Sequence, residues 1–429
     1  MGIAVKKRLV FYCHGYDPDA DTRYRRLFVT AFSQLSRRFN VERAIGPLVH
    51  DGALPSARWN VSAGTGAWRT ETTYEVLRWD DLVKRDFARS WVARIPLLAA
   101  AIVEALRGAV MQRLFRVNWY FALFVLYPWA ALVAVIGAGF LLGYGAASLL
   151  DVAAPLPQSV KVAIAALIAI GVLHAAGPRI RKAYVYHLLD GWIFSWQQAS
   201  GRHAEIDTRL DRFARHVVAA VRHSDADEIL IVGHSTGSTI AVDLAARALA
   251  LDPEFGRTGP PVALLTIGSC LPIVGFIRTA DRLRRDIARL VTTDSLLWVE
   301  YQAPQDVLNA FGFEPVRDLN LELGGARPVN PTIRSARFKE TLLPATYRKI
   351  RWNFFRMHFL FLMANEVPGE YDYLMIACGP VSLADRIADP KAAVRVTYGP
   401  GISAVSEADR ETSFSAEAED TRGAARLGR

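Results

Sequence analysis

Between Arg116 and Asp151 the chain carries no charged residue; Val117 to Leu150 reads "VNWYFALFVLYPWAALVAVIGAGFLLGYGAASLL". No other feature restricts the fold as strongly. A helical core from Tyr120 to Leu142 would be about 34 Å long, enough to cross a hydrocarbon layer of ~30 Å. Trp119, Tyr120, Trp129 and Tyr144 are aromatic side chains of the kind that settle at a bilayer interface. After a connection with Asp151, Pro155 and Pro157 comes a second apolar run, "VKVAIAALIAIGVLHAAG", from Val160 to Gly177. It would be about 27 Å long as a helix, with Lys161 reaching back to its end. The expectation is a hairpin with passes at about 119–143 and 160–177. Gly139 and Gly143 form a G-x-x-x-G pair through which the two helices would approach closely. The alternative, a buried hairpin in a soluble domain, would call for a charged face that the first run lacks.

The flanks set an orientation. Arg107, Arg113 and Arg116 precede the hairpin and Arg179, Arg181 and Lys182 follow it, while the connection holds only Asp151 and Lys161. The positive-inside rule then places both ends, and everything outside the hairpin, on the cytoplasmic side; a bacterial inner membrane is the expected setting. Cysteine usage agrees, because Cys13, Cys270 and Cys378 have neither paired-disulfide nor metal-like spacing. The net charge of +9 fits an acidic lipid surface. No nucleic-acid motif accompanies it, so no nucleic-acid partner is expected. Lys6, Lys7 and Arg8 precede only the short run "LVFYC", which reads as a first strand and not as a signal peptide.

Outside the hairpin, short apolar strands alternate with helical patterns. Strands are expected at Arg8–Gly15, Thr72–Leu82, Glu228–Ser235, Pro261–Ser269 and Ser295–Gln302. Helices are expected around Tyr24–Arg38, His203–Ser224 and Ser238–Leu251. That alternation implies an α/β fold, a mostly parallel sheet covered on both faces. The expected organisation is 1–90 and 191–398 as two parts of one α/β domain, 91–190 as a membrane insertion, and 399–429 as a disordered tail poor in periodicity. "SAGTGAW", Ser62 to Trp68, lacks the strand-to-helix setting of a phosphate loop and reads as a flexible loop near the active site. No zinc signature, P-loop or dinucleotide fingerprint is present, so neither cofactor nor metal is expected.

The chemistry is concentrated in "DEILIVGHSTGSTIAVDLAARAL", Asp227 to Leu249. A buried strand runs into G-x-S-x-G and directly on into a helix. Gly233 and Gly237 permit a tight turn that lifts the Ser235 hydroxyl clear of the sheet, and the helix N-terminus aims amides at developing negative charge. In this setting "IVGHSTGS" resembles the nucleophile elbow of the α/β-hydrolase superfamily, especially its lipases and esterases. The resemblance implies an α/β-hydrolase-like fold and a triad in the order serine, acid, histidine. His358 in "NFFRMHFLF" is the only histidine after Ser235, with eight before it. Asp306, in "APQDVLNAF" after the strand "SLLWVEYQ", matches the family's acid position; Asp294 and Asp318 are alternatives, Asp294 lying before the strand. For the oxyanion hole the resemblance implies the backbone N–H of Thr236 and a second from Gly15 or Tyr16, after the first strand in "FYCHGYDP", with His14 structural. The implied protein is a membrane-anchored serine hydrolase cleaving carboxylic ester or thioester bonds, with an acyl ester or lipid as substrate. An acyltransferase using the same triad and a catalytically idle membrane scaffold remain alternatives. The family plan does not include the hairpin.

Overall fold

The structure is a computed structural model that describes residues 4–399; the expectation for 400–429 falls outside the described residues. Nine strands form one sheet: β1 (Lys7–Cys13), β2 (Glu42–Ile45), β3 (Val49–His50), β4 (Ser56–Gly64), β5 (Arg69–Leu77), β6 (Glu228–His234), β7 (Val262–Ile267), β8 (Leu297–Gln302) and β9 (Thr332–Ser335). Their order is β2-β4-β5-β1-β6-β7-β8-β9, with β3 beside β4. From β5 to β9 every neighbouring pair is parallel, whereas β2, β3 and β5 run antiparallel to β4.

Central strands are apolar on both faces because both faces are covered. Val10 and Tyr12 of β1 join Leu230 and Val232 of β6 in one core, under Phe28, Phe32 and Leu35 of α1 (Ala20–Phe39). Phe11 and Cys13 join Ile229 and Ile231 in the other core. The helices that follow are α2 (Asp80–Phe87), α3 (Trp91–Arg107), α4 (Val110–Val117), α5 (Trp119–Ala153), α6 (Gln158–Lys182), α7 (Val185–Ala199), α8 (Ala204–His223) and α9 (Gly237–Leu251). Phe213 and Val217 of α8 and Ile240 and Leu244 of α9 cover the second face.

Two expectations need correction. "TTYEVLRWDDL" is a strand only to Leu77; Asp80 and Asp81 open α2, where carboxylates suit the positive end of the helix dipole. "SAGTGAW" is no loop near the site: Ser62–Gly64 end β4, and the turn into β5 closes with Thr65 N–H donating to Trp68 C=O at 2.8 Å. The expected boundary at 190 falls inside α7, whose Leu189, Trp192 and Phe194 are buried.

Among the described residues two helices, α5 and α6, are long and apolar enough to cross a membrane. They differ from the expected 119–143 and 160–177. α5 continues to Ala153, and its first turns bury Phe121, Ala122 and Val125 against the soluble core. Its exposed apolar side chains extend along Val133, Leu141, Leu149 and Val152. α6 spans 25 residues, about 37 Å, and Lys161 pairs with Asp151 at 2.6 Å across the connection. α3 and α4 qualify as a span only as a pair bent by 62°. Arg94 of α3 is buried in a two-pronged ion pair with Asp190 of α7, at 2.8 and 3.0 Å.

The hairpin closes through small residues. A Cβ on Gly139 would lie 2.8 Å from Ala169 Cα, and one on Gly143 would lie 2.7 Å from Ala165 Cα. Backbone sits in the way, so no side-chain rotation relieves the clash. Gly145, two residues further on, faces open space. Gly143→Ala should therefore destabilise the detergent-solubilised protein by about 1–3 kcal/mol, read as a lower thermal midpoint. Gly145→Ala should hold or raise that midpoint, and equal effects at the two positions would disprove this packing.

Candidate active site

All seven residues of β6 are buried, and the strand ends at His234 in the middle of the sheet. The chain then reverses into α9 within three residues. Ser235 takes φ +57°, a left-handed conformation that strains a residue with a Cβ. The glycines on either side make that turn possible. A Cβ on Gly233 would lie 2.5 Å from Gly237 O, and one on Gly237 would lie 2.1 Å from Cys13 O. The turn is thus pressed against the end of β1, which brings the His14-Gly15-Tyr16 segment to the serine; a Cβ on Gly15 would touch Ser235 Cβ at 3.4 Å.

The loop after β8 supplies Asp306 and the helix Phe354–Phe359 supplies His358, both buried. His358 Nδ1–H donates to Asp306 Oδ2 at 2.6 Å, and Leu308 N–H donates to the other carboxylate oxygen at 2.9 Å. With Nδ1 carrying the proton, Nε2 is an acceptor. It is buried and has no hydrogen-bond partner. Ser235 Oγ has Cys270 Sγ as its neighbour at 3.8 Å, and the two side chains, Ser235 and His358, line one cavity without a hydrogen bond between them. Asp294 and Asp318 are elsewhere: Asp294 pairs with Arg257 at the surface, and Asp318 pairs with Arg317 at 2.8 Å.

The backbone donors sort themselves by what they already bond. Gly15 N–H donates to the Tyr24 hydroxyl at 3.4 Å. The N–H groups of Tyr16 and Thr236 have no acceptor among the described residues, and both residues line the cavity beside Ser235. His14 is structural: Nδ1–H donates to Gly15 O at 2.7 Å, Nε2 accepts from Trp79 N–H at 3.2 Å, and the ring stacks on Trp79 at 5.0 Å. Burial pushes its pKa down to about 4.

Several lining residues have no signature in the sequence. His234 lies 4.7 Å from the His358 ring, both its nitrogens unpartnered, and burial holds it well below the usual histidine range. Burial likewise pushes His187 down to about 4 and the Cys270 thiol up to about 12. The cavity, of about 170 Å³, is walled on one side by Phe124, Val125 and Pro128 of α5, so the first apolar helix is part of the site. Only a 3.6-residue spacing links those three positions, and every residue of an all-apolar helix shares that signal. Among the described residues no cluster of His, Cys, Asp and Glu suits a metal ion.

Compared with known proteins, the chain matches no family model, no curated protein and no solved structure.

Two measurements probe this geometry. Ser235→Gly should be more stable than Ser235→Ala by about 1 kcal/mol, since only the glycine escapes the left-handed penalty; thermal melts giving the reverse order would refute the turn. His14 binds a proton in the unfolded chain below about pH 6.5 but in the fold only near pH 4, so its contribution to stability is lost as pH falls through that window. The wild type should lose about 1.4 kcal/mol per pH unit more than His14→Gln between pH 6.5 and 4. Parallel pH–stability curves for the two proteins would contradict a neutral, buried His14.

Proposed function

We propose that this chain is a membrane-anchored serine hydrolase of the α/β-hydrolase type that cleaves carboxylic ester or thioester bonds through Ser235, His358 and Asp306. The observation that carries the reading is one cavity lined by a serine at positive φ on a strand-to-helix turn and by a histidine whose Nδ1–H is held by a buried aspartate. In the proposed cycle, Ser235 Oγ attacks the acyl carbon while its proton passes to His358 Nε2. Asp306 keeps the imidazole in the required tautomer and stabilises its cationic form. The N–H groups of Thr236 and Tyr16 receive the oxyanion; Tyr16 is preferred to Gly15 because the Gly15 N–H is already donated to Tyr24. The leaving group departs with the proton from Nε2. Water then attacks the acyl-enzyme, giving the carboxylic acid and restoring Ser235.

The α5 wall supports an apolar acyl group as the part of the substrate bound there. One observation favours a second reading: Oγ and Nε2 are not hydrogen-bonded, as an idle fold would allow, although such bonds often form only when substrate is bound.

A fluorophosphonate probe on the detergent-solubilised full chain decides between them. The wild type should label at Ser235, and Ser235→Ala should not. His358→Ala and Asp306→Asn should each lower ester turnover on the order of 10³-fold or more. A folded wild type that never labels would establish the idle scaffold, and labelling that survives Ser235→Ala would remove the serine from its role.

A further inference from the structure

Next to the catalytic cavity lies a second, wider groove of about 870 Å³ between α1 and the segment around Phe354–Phe359. Arg23, Tyr184, Phe355 and Phe359 line both spaces, so the two are contiguous. The groove differs sharply in character from its neighbour. Five arginines line it, Arg23, Arg26, Arg37, Arg38 and Arg356, against a single carboxylate, Glu366. Arg23 is paired with Asp17 at 2.8 Å and Arg38 with Glu366 at 3.7 Å. Arg26, Arg37 and Arg356 are exposed, and their guanidinium groups have no partner among the described residues. Three uncompensated cations in one concave surface repel one another unless an anion joins them, and the guanidinium fork is matched to phosphate.

Position adds to charge. Tyr184, shared by both spaces, follows the basic end of α6, where Arg179, Arg181 and Lys182 close the second apolar helix. The groove therefore adjoins the end of the hairpin, while Phe124, Val125 and Pro128 of that same hairpin wall the serine's cavity.

We propose that the groove binds a phosphate-bearing head group, and that the substrate is an acyl ester or thioester whose chain lies against α5 while its phosphate meets Arg26, Arg37 and Arg356. The proposal rests on the hydrolase reading for what happens at Ser235, but the binding it asserts does not. A membrane phospholipid and a soluble phosphate-containing thioester share this chemistry, and the experiment separates them.

The full chain carrying Ser235→Ala, in neutral detergent, is titrated calorimetrically with dihexanoylphosphatidic acid, with dihexanoylphosphatidylcholine and with hexanoyl-coenzyme A. At least one of the two phosphate-rich anions should bind more tightly than the zwitterion. Adding Arg26→Gln and Arg356→Gln, both exposed and outside the core, should weaken that binding about tenfold or more, the scale of one lost charge-assisted hydrogen bond. Adding Arg37→Gln instead of Arg356→Gln gives an independent second variant, and raising the salt should narrow the difference. Preference for phosphatidic acid identifies a lipid source, and preference for the thioester a soluble one. Equal binding of all three ligands, or binding indifferent to the arginines, would overturn the proposal. Anion binding that depends on the arginines, in a chain whose wild type neither labels nor hydrolyses an ester, would keep the groove and discard the hydrolase reading.

Discussion

The contact between the Gly233–Ser238 turn and the end of β1 holds the site together. α9 can start directly above β6 only because Gly233 and Gly237 have no side chain where Gly237 O and Cys13 O already stand. That approach forces the backbone between them into the left-handed region, and Ser235 absorbs the strain. It also brings the segment after β1 to the serine, where the N–H groups of Tyr16 and Thr236 have no acceptor among the described residues. The loop after β8 and the helix Phe354–Phe359 then need only deliver a buried aspartate and histidine to the same end of the sheet. A methyl group at position 237 would push the turn off β1 and scatter all of these groups together.

The second organising element is the length of α5. At 35 residues it exceeds what a bilayer crossing demands, and its two ends do different work. Its first turns pack into the soluble core and wall the cavity through Phe124, Val125 and Pro128; its later turns face outward and lock onto α6 through Gly139 and Gly143. One continuous helix thus connects the wall of the Ser235 cavity to the apolar hairpin. The ion pair of Arg94 with Asp190 and the bond from Trp192 Nε1–H to Val125 O, at 3.2 Å, brace its base against α3 and α7.

Much of the scaffold is legible because it is buried on a regular period. β6, β7 and β8 read as strands from short, mainly apolar runs, broken in β8 by Glu300, and α1 and α8 from apolar residues at helical spacing. The antiparallel edge escapes for the complementary reason. β2 and β3 are short and largely exposed, so Glu42, Arg43 and His50 erase the alternation that would mark them. "SAGTGAW" misleads because glycine permits both a floppy loop and a tight hairpin turn, and the pairing of β4 with β5 selects the second. Spacing alone also leaves Asp294, Asp306 and Asp318 as competitors; only the fold shows that Asp306 alone is buried against His358.

Local chemistry therefore decided the apolar hairpin, the buried parallel strands and the strained serine turn, because each depends on residues adjacent in the chain or on a single helical face. Tertiary structure decided what no local pattern encodes. It set Asp306, alone of three aspartates, against His358, separated the engaged Gly15 N–H from the Tyr16 N–H, and placed His234 beside His358. It also turned the first apolar helix into a cavity wall and opened that cavity onto a groove of arginines. These depend on segments distant in the chain, 52 residues apart for Asp306 and His358, meeting at one end of a sheet, and only the packing of both faces of that sheet brings them there.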